Sequence, residues 1–243
     1  MKKVLIALFS ISAILFVSCK NETEKPKVIY DGNTPAAKGQ AKKVDSTEIK
    51  VSDLPVHMEG TKYLIHPIGD IRVYDDSNRS YGSSRTNSSV SYAISNYNRF
   101  EITGYFENLK FQHIDSTALH SLTDKKVQIQ TATYLNTIAD KYKKNLLLYT
   151  LVDADTNQDG KVDANDIRSL YISDASGQGF RKLSDDVQEL IDWNIIDAQG
   201  RIYFRTIEDI NKNGAFDKND KVHYHYVSLL QPDMPVTNYE PVN

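Results

Sequence analysis

The stretch "DTNQDGKVDAND", Asp155 to Asp166, sets oxygen donors at a spacing that suits a hard cation. Asp155, Asn157 and Asp159 alternate, Gly160 allows a sharp turn, and Asp163 and Asp166 return further donors from the far side. Hard oxygen donors mixing carboxylates and amides, without His, Cys or Met, favour Ca²⁺ over zinc or copper. Mg²⁺ fits less well, because it demands near-octahedral geometry and keeps its waters. A second stretch, "DINKNGAFDKND", repeats the arrangement with Asp209, Asn211, Asn213, Asp217 and Asp220 around Gly214.

Both stretches resemble the calcium loop of EF-hand proteins and the calcium repeats of dockerins. That loop takes ligands from positions 1, 3, 5, 7, 9 and 12, position 7 giving a backbone carbonyl, with Gly at position 6. The resemblance assigns position 7 to Lys161 and Ala215, and the apolar anchor at position 8 to Val162 and Phe216. Two cofactor Ca²⁺ ions are therefore expected. The plainer alternative is a pair of Asx-turn hairpins without an ion, since Asp, Asn and Gly also dominate ordinary turns. The first loop has four carboxylates and the second three, with Lys212, Lys218 and Lys221 close by, so the first is expected to bind more tightly. The flanks "NLLLYTLV" and "IRSLYIS" alternate like strands and lack the helices through which a calcium sensor works. The loops are expected to close hairpins and hold strands in register.

The elements that position these loops follow from the rest of the chain. Residues 1–18 carry Lys2, Lys3 and an apolar run from Val4 to Val17, too short to span a bilayer but suited to a secretory signal. Cys19 is the only cysteine, which excludes an intramolecular disulfide. Its place after the apolar run and Ser18 resembles the lipobox of bacterial lipoproteins, although Phe16 stands where that family usually has Leu. The resemblance implies lipidation at Cys19 and a membrane partner through the lipid. "CKNETEK" is similar to the export tag of some surface-exposed lipoproteins, which implies an outer-membrane lipoprotein on the periplasmic or cell-surface face.

Residues 19–53 are rich in Lys, Glu, Thr, Gly and Pro without apolar periodicity and read as a flexible tether. A coil of roughly 35 residues has an r.m.s. span of about 30 Å. The formal charge is −3 and becomes −5 once Lys2 and Lys3 leave with residues 1–18, so no nucleic-acid surface is indicated.

Residues 54–243 read as one all-β domain. "YLIHPIG", "SVSYAIS", "FEITGYF", "LKFQHID", "VQIQTATYL", "NLLLYTLV", "RSLYIS", "ELIDWNII", "RIYFRTI" and "VHYHYVSL" are the expected strands, and 136–145 offers one short helix. The Ser/Asn-rich stretch 77–89 reads as a loop. "LTDKKVQI" at Leu122 echoes "LSDDVQEL" at Leu183, and "LYTLVDADTNQDGKVDANDI" echoes "YFRTIEDINKNGAFDKNDKV", so a supersecondary unit repeats. Strand, Asp, small-residue turn and Leu-Ser/Thr, best seen at "LYISD", resembles the blades of TolB-like and WD40-like propellers. That implies antiparallel blade-like sheets, with room for a partial or small propeller only.

Catalytic signatures are lacking: there is no GxSxG, HExxH or GxxxxGK[ST], and Cys19 is assigned to the lipid. His223 and His225 share a strand face at the spacing of a metal pair, without an evident third ligand. Asp185 with Asp186, or Glu208 with Asp209, are the carboxylate pairs available to a glycosidase. The favoured expectation is a lipid-anchored, calcium-binding structural protein, or one that binds an envelope protein or glycan. The alternatives are a calcium-dependent hydrolase on a propeller-like scaffold and a dockerin-like docking module.

Overall fold

A computed structural model of the chain describes residues 26–30, 49–75 and 88–242. The signal segment, Cys19 and most of the 77–89 stretch lie outside the described residues. In chain order the strands are β1 (Lys50–Ser52), β2 (Val56–His57), β3 (Tyr63–Asp70), β4 (Arg72–Asp75), β5 (Ser88–Ser91), β6 (Ser95–Tyr97), β7 (Glu101–Phe106), β8 (Asn108–His113), β9 (Leu119–Ser121) and β10 (Gln128–Tyr134). After the helix α1 (Asn136–Tyr142) come β11 (Leu146–Val152), β12 (Arg168–Asp174), β13 (Arg181–Lys182), β14 (Gln188–Ile196), β15 (Arg201–Glu208), β16 (Lys221–Ser228) and β17 (Val236–Asn238).

The protein is all-β, and every strand pairing is antiparallel. The first sheet runs β1, β3, β8, β9, with β2 also pairing with β3. β1 and β2 are two pieces of one edge, interrupted at Asp53–Pro55. At the break the Asp53 carboxylate accepts the N–H groups of Ile94 and Ser95 and so ties this edge to β6. The second sheet runs β13, β12, β11, β10, β7, β6, and the third runs β14 to β17 as a simple meander. β4 and β5 form a separate hairpin.

Continuous apolar runs mark the middle of the structure. A strand with one wet face alternates apolar and polar residues, whereas one covered on both faces has no reason to. β11, "LLLYTLV", is buried at every position except Thr150. Leu147, Tyr149 and Leu151 point into a core shared with Ile65, Leu109 and Phe111 of the first sheet. Leu146 and Leu148 point the other way, into a core shared with Leu190, Ile202, Phe204 and Val227 of the third sheet. The second sheet is thus the middle layer of three. Burial alone does not hold it: the Tyr149 hydroxyl, wholly enclosed, is hydrogen-bonded to Ser173 Oγ at 2.7 Å.

The two similar stretches at Leu122 and Leu183 make matching hydrogen bonds. Leu122 N–H donates to the Leu109 carbonyl and Leu183 N–H to the Leu170 carbonyl, each at the close of a strand pair. The following strands carry a β-bulge at the matching place, between Ile129 and Thr131 in β10 and between Leu190 and Asp192 in β14. The stacked sheets do not close into a ring: neither a barrel nor a closed propeller forms among the described residues. Three sheets are too few for the ring geometry, which needs at least four blades.

Candidate functional site

Loop 155–166 joins β11 to β12 and loop 209–220 joins β15 to β16, so both lie at the turns of antiparallel hairpins. Their first seven positions are bonded alike. Asp155 Oδ1 accepts from Asp159 N–H and Oδ2 from Gly160 N–H, and Asp209 does the same for Asn213 and Gly214. Asn157 and Asn211 each accept at position 5, and Asp159 and Asn213 each accept at position 7. Positions 4 and 6 are left-handed in both loops: Gln158 and Lys212 at φ 56° and 57°, Gly160 and Gly214 at 86° and 81°.

The last carboxylates differ. Asp166 is fully buried; its Oδ1 accepts from the N–H groups of Thr156 and Asn157, with the Thr156 hydroxyl 3.2 Å away, and its Oδ2 accepts from Asp163 N–H. Asp220 is half-exposed and accepts from Asp217 N–H and, at 3.4 Å, from Asn211 Nδ2. Asp166 therefore staples its loop, while Asp220 keeps more acceptor capacity. Asp163 and Asp217 also accept within their loops, from Asn165 and Asn219. Val162 and Phe216, the expected anchors, are half-buried and belong to neither core.

No three His, Cys, Asp or Glu side chains gather in metal-holding geometry among the described residues. The donor set still fits calcium in kind. It is all oxygen, includes the Lys161 and Ala215 carbonyls, and a carboxylate that accepts one N–H per oxygen retains lone pairs for an ion.

The two loops are brought together by a segment that the sequence shows only as part of the tether. Lys27 N–H donates to the Gly214 carbonyl at 2.7 Å, and Ile29 N–H donates to the Thr156 carbonyl at 2.9 Å. Thr156 Oγ1 donates to the Lys27 carbonyl at 2.7 Å, and Gln158 reaches the Ile29 carbonyl. Val28 is 4% exposed, and Lys27 Nζ pairs with Glu189 at 2.9 Å. Tyr30 lies over the second loop, where burial and then the nearby Asp209 carboxylate push its hydroxyl up to about 12. Only Val28, Ile29 and Tyr30 hint at this contact in the sequence, and they are too few to show a period.

A second polar cluster lies beside the first loop. The Asp153 carboxylate accepts from Tyr171 at 2.7 Å, Lys182 at 2.8 Å and Ser169 at 3.1 Å. Burial alone would raise this carboxyl, but the bonds from Lys182 and Tyr171 hold it below the usual carboxylate range. Burial would lower Lys182, yet its bonds to Asp153 and Asp186 hold it above its ordinary value. The cluster borders a cleft of about 630 Å³ lined by Thr123, Phe180 and Asp186 among others.

The remaining candidates form no three-ligand group among the described residues, although the His223 and His225 rings stack with centres 6.3 Å apart. Asp185 and Asp186 are exposed, Glu208 meets His223 Nε2 at 2.7 Å, and Asp209 is buried in its loop. His225 is hydrogen-bonded to Thr206 and Asn238, and burial lowers its pKa. Alternation along β15 and β16 collects Tyr203, Tyr224 and Tyr226, with Tyr239, on the outer face of the third sheet, and the Arg201 guanidinium sits 4.2 Å from the Tyr226 ring centre. No helix among the described residues is long and apolar enough to cross a membrane. Compared with known proteins, the chain matches no family model, no curated protein and no solved structure.

Proposed function

We propose that this protein is a lipid-anchored, calcium-stabilised structural or binding protein of the bacterial envelope, built from successive blade-like repeats. The observation that carries the calcium reading is the matched framework of the two loops, equal in donor spacing, in left-handed positions and in hairpin placement. Asp155, Asn157, Asp159, Asp163, Asp166 and the Lys161 carbonyl would hold one ion. Asp209, Asn211, Asn213, Asp217, Asp220 and the Ala215 carbonyl would hold the other. Each ion neutralises carboxylates that otherwise repel one another at a hairpin turn. The tyrosine-rich outer face supports a binding role, since Tyr pairs a large apolar area with a polar tip. The anchor rests on Cys19 and the apolar run before it.

At calcium tenfold above Kd, one site contributes about 1.4 kcal/mol. For a domain of this size that is a rise in Tm of about 3–6 °C per loop. Scanning calorimetry of the full chain with calcium and with EDTA tests the reading. Asp159→Ala is the informative variant, because Asp159 is exposed and its hydrogen bonds among the described residues lie within its own loop. It should remove about half of the calcium shift while leaving the EDTA melt nearly unchanged; a wild-type melt indifferent to calcium sinks the proposal. Fatty-acid labelling in a bacterial host, abolished in Cys19→Ser, tests the anchor.

A further inference from the structure

Segment 26–30 is bonded to both loops at once. It holds the Thr156 carbonyl, at position 2 of the first loop, and the Gly214 carbonyl, at position 6 of the second. Both carbonyls belong to turns with two left-handed positions, Gln158 and Gly160 in one loop and Lys212 and Gly214 in the other. The fit at Gly214 is close: a Cβ there would lie 2.5 Å from the Val28 carbonyl oxygen and 2.6 Å from Pro26 Cβ. Val28, buried yet outside both cores, is covered only where the segment is docked. Lys27 adds an ion pair to Glu189, which also accepts from Arg168 at the end of the first loop.

We propose that Pro26–Tyr30 is a clasp that couples the two loops, so that calcium promotes its docking and its docking strengthens calcium binding at both. The inference rests on the calcium reading above, and the reciprocity is thermodynamic: a contact that favours the ion-bound loop is favoured by the ion to the same degree. The clasp also sets the reach of the anchor. Docked, it leaves the six residues Lys20–Lys25 after Cys19, a span of at most about 20 Å. Released, the chain from Lys20 to Ile49 precedes β1, with a fully extended limit of about 100 Å. Calcium thereby holds the loop end of the domain close to the lipid, and its removal lets the domain move outward.

The test follows trypsin cleavage of the Lys27–Val28 bond by mass spectrometry in the full chain, with calcium chloride or EDTA, beside calorimetric titration of calcium. Calcium should slow this cut by about tenfold or more, the protection given by a docked state. Val28→Asn should be cut quickly in both conditions and bind calcium more weakly, with Trp193 fluorescence unchanged to show that the sheets remain folded. Calcium heat with a cleavage rate that calcium does not move overturns the clasp and leaves the calcium reading standing. Absence of calcium heat overturns both.

Discussion

Lys182 Nζ donates to the Asp153 carboxylate at 2.8 Å, fastening β13, a strand of two residues, to the end of β11. Both side chains are largely enclosed, at 21% and 16% exposure, so the pair is sheltered from solvent screening. The folded Asp153 carboxyl titrates below its unfolded value, so its contribution is present above about pH 4 and is lost as the pH falls through the folded value. Lys182 is raised, so its contribution is present below about pH 10 and is lost as the pH rises through its folded value. Asp153→Asn should cost about 2–4 kcal/mol at pH 7, since it leaves an enclosed ammonium short of a partner. Urea melts at pH 7 and pH 2.5 check this: the gap between wild type and variant should narrow in acid, and a gap of constant size refutes the assignment.

Leu147 and Leu148 are neighbours in sequence and face different cores, at 0% and 1% exposure. Each truncation to Ala should cost about 2–5 kcal/mol, the range for a large side chain removed from a packed interior. In a two-layered protein one of the two would face water and its loss would stay within about 0.5 kcal/mol. Equilibrium urea unfolding of both variants separates the cases.

The strands of four or more residues with described side chains were legible because Tyr, Ile, Val and Phe recur at strand spacing in "FEITGYF", "RIYFRTI" and "VHYHYVSL". The helix was legible too, although it ends at Tyr142, where Lys143 turns left-handed. β1, β2, β6, β9, β13 and β17 escaped because two or three residues cannot display a period of two. "NLLLYTLV" showed that a strand is buried without showing by what; the two covering sheets are fixed by residues such as Phe111 and Phe204, far away in the chain. Loop spacing is local and was readable. The clasp was not, since Lys27 and Ile29 reach Gly214 and Thr156 through backbone groups that every residue possesses.

Charge differences between the loops set an expected order of affinity. The first loop offers Asp155, Asp159, Asp163 and Asp166; the second offers Asp209, Asp217 and Asp220 beside Lys212, Lys218 and Lys221. Calorimetric titration should resolve a tighter and a weaker event, both weakening as salt is added. Asp159→Ala should remove the tighter event and Asp217→Ala the weaker. The reverse assignment would mean that Asp166, held by three N–H donors, contributes little charge to the ion.

Gly160 and Gly214 occupy the same loop position with nearly the same φ, yet their surroundings differ. No described residue lies within 4 Å of a Cβ at Gly160, while one at Gly214 meets the Val28 carbonyl and Pro26. Alanine at either site incurs about 1–2 kcal/mol for the left-handed backbone. Gly214→Ala must also displace the clasp, so its Tm should fall further than that of Gly160→Ala. In a Val28→Asn background the clasp is already released, and the difference between the two alanine variants should shrink, as expected when one change removes the contact that the other disturbs. Thermal melts of the two single variants and the two double variants in calcium measure this coupling, and equal losses in the wild-type background would show that residues 26–30 do not rest on the second loop.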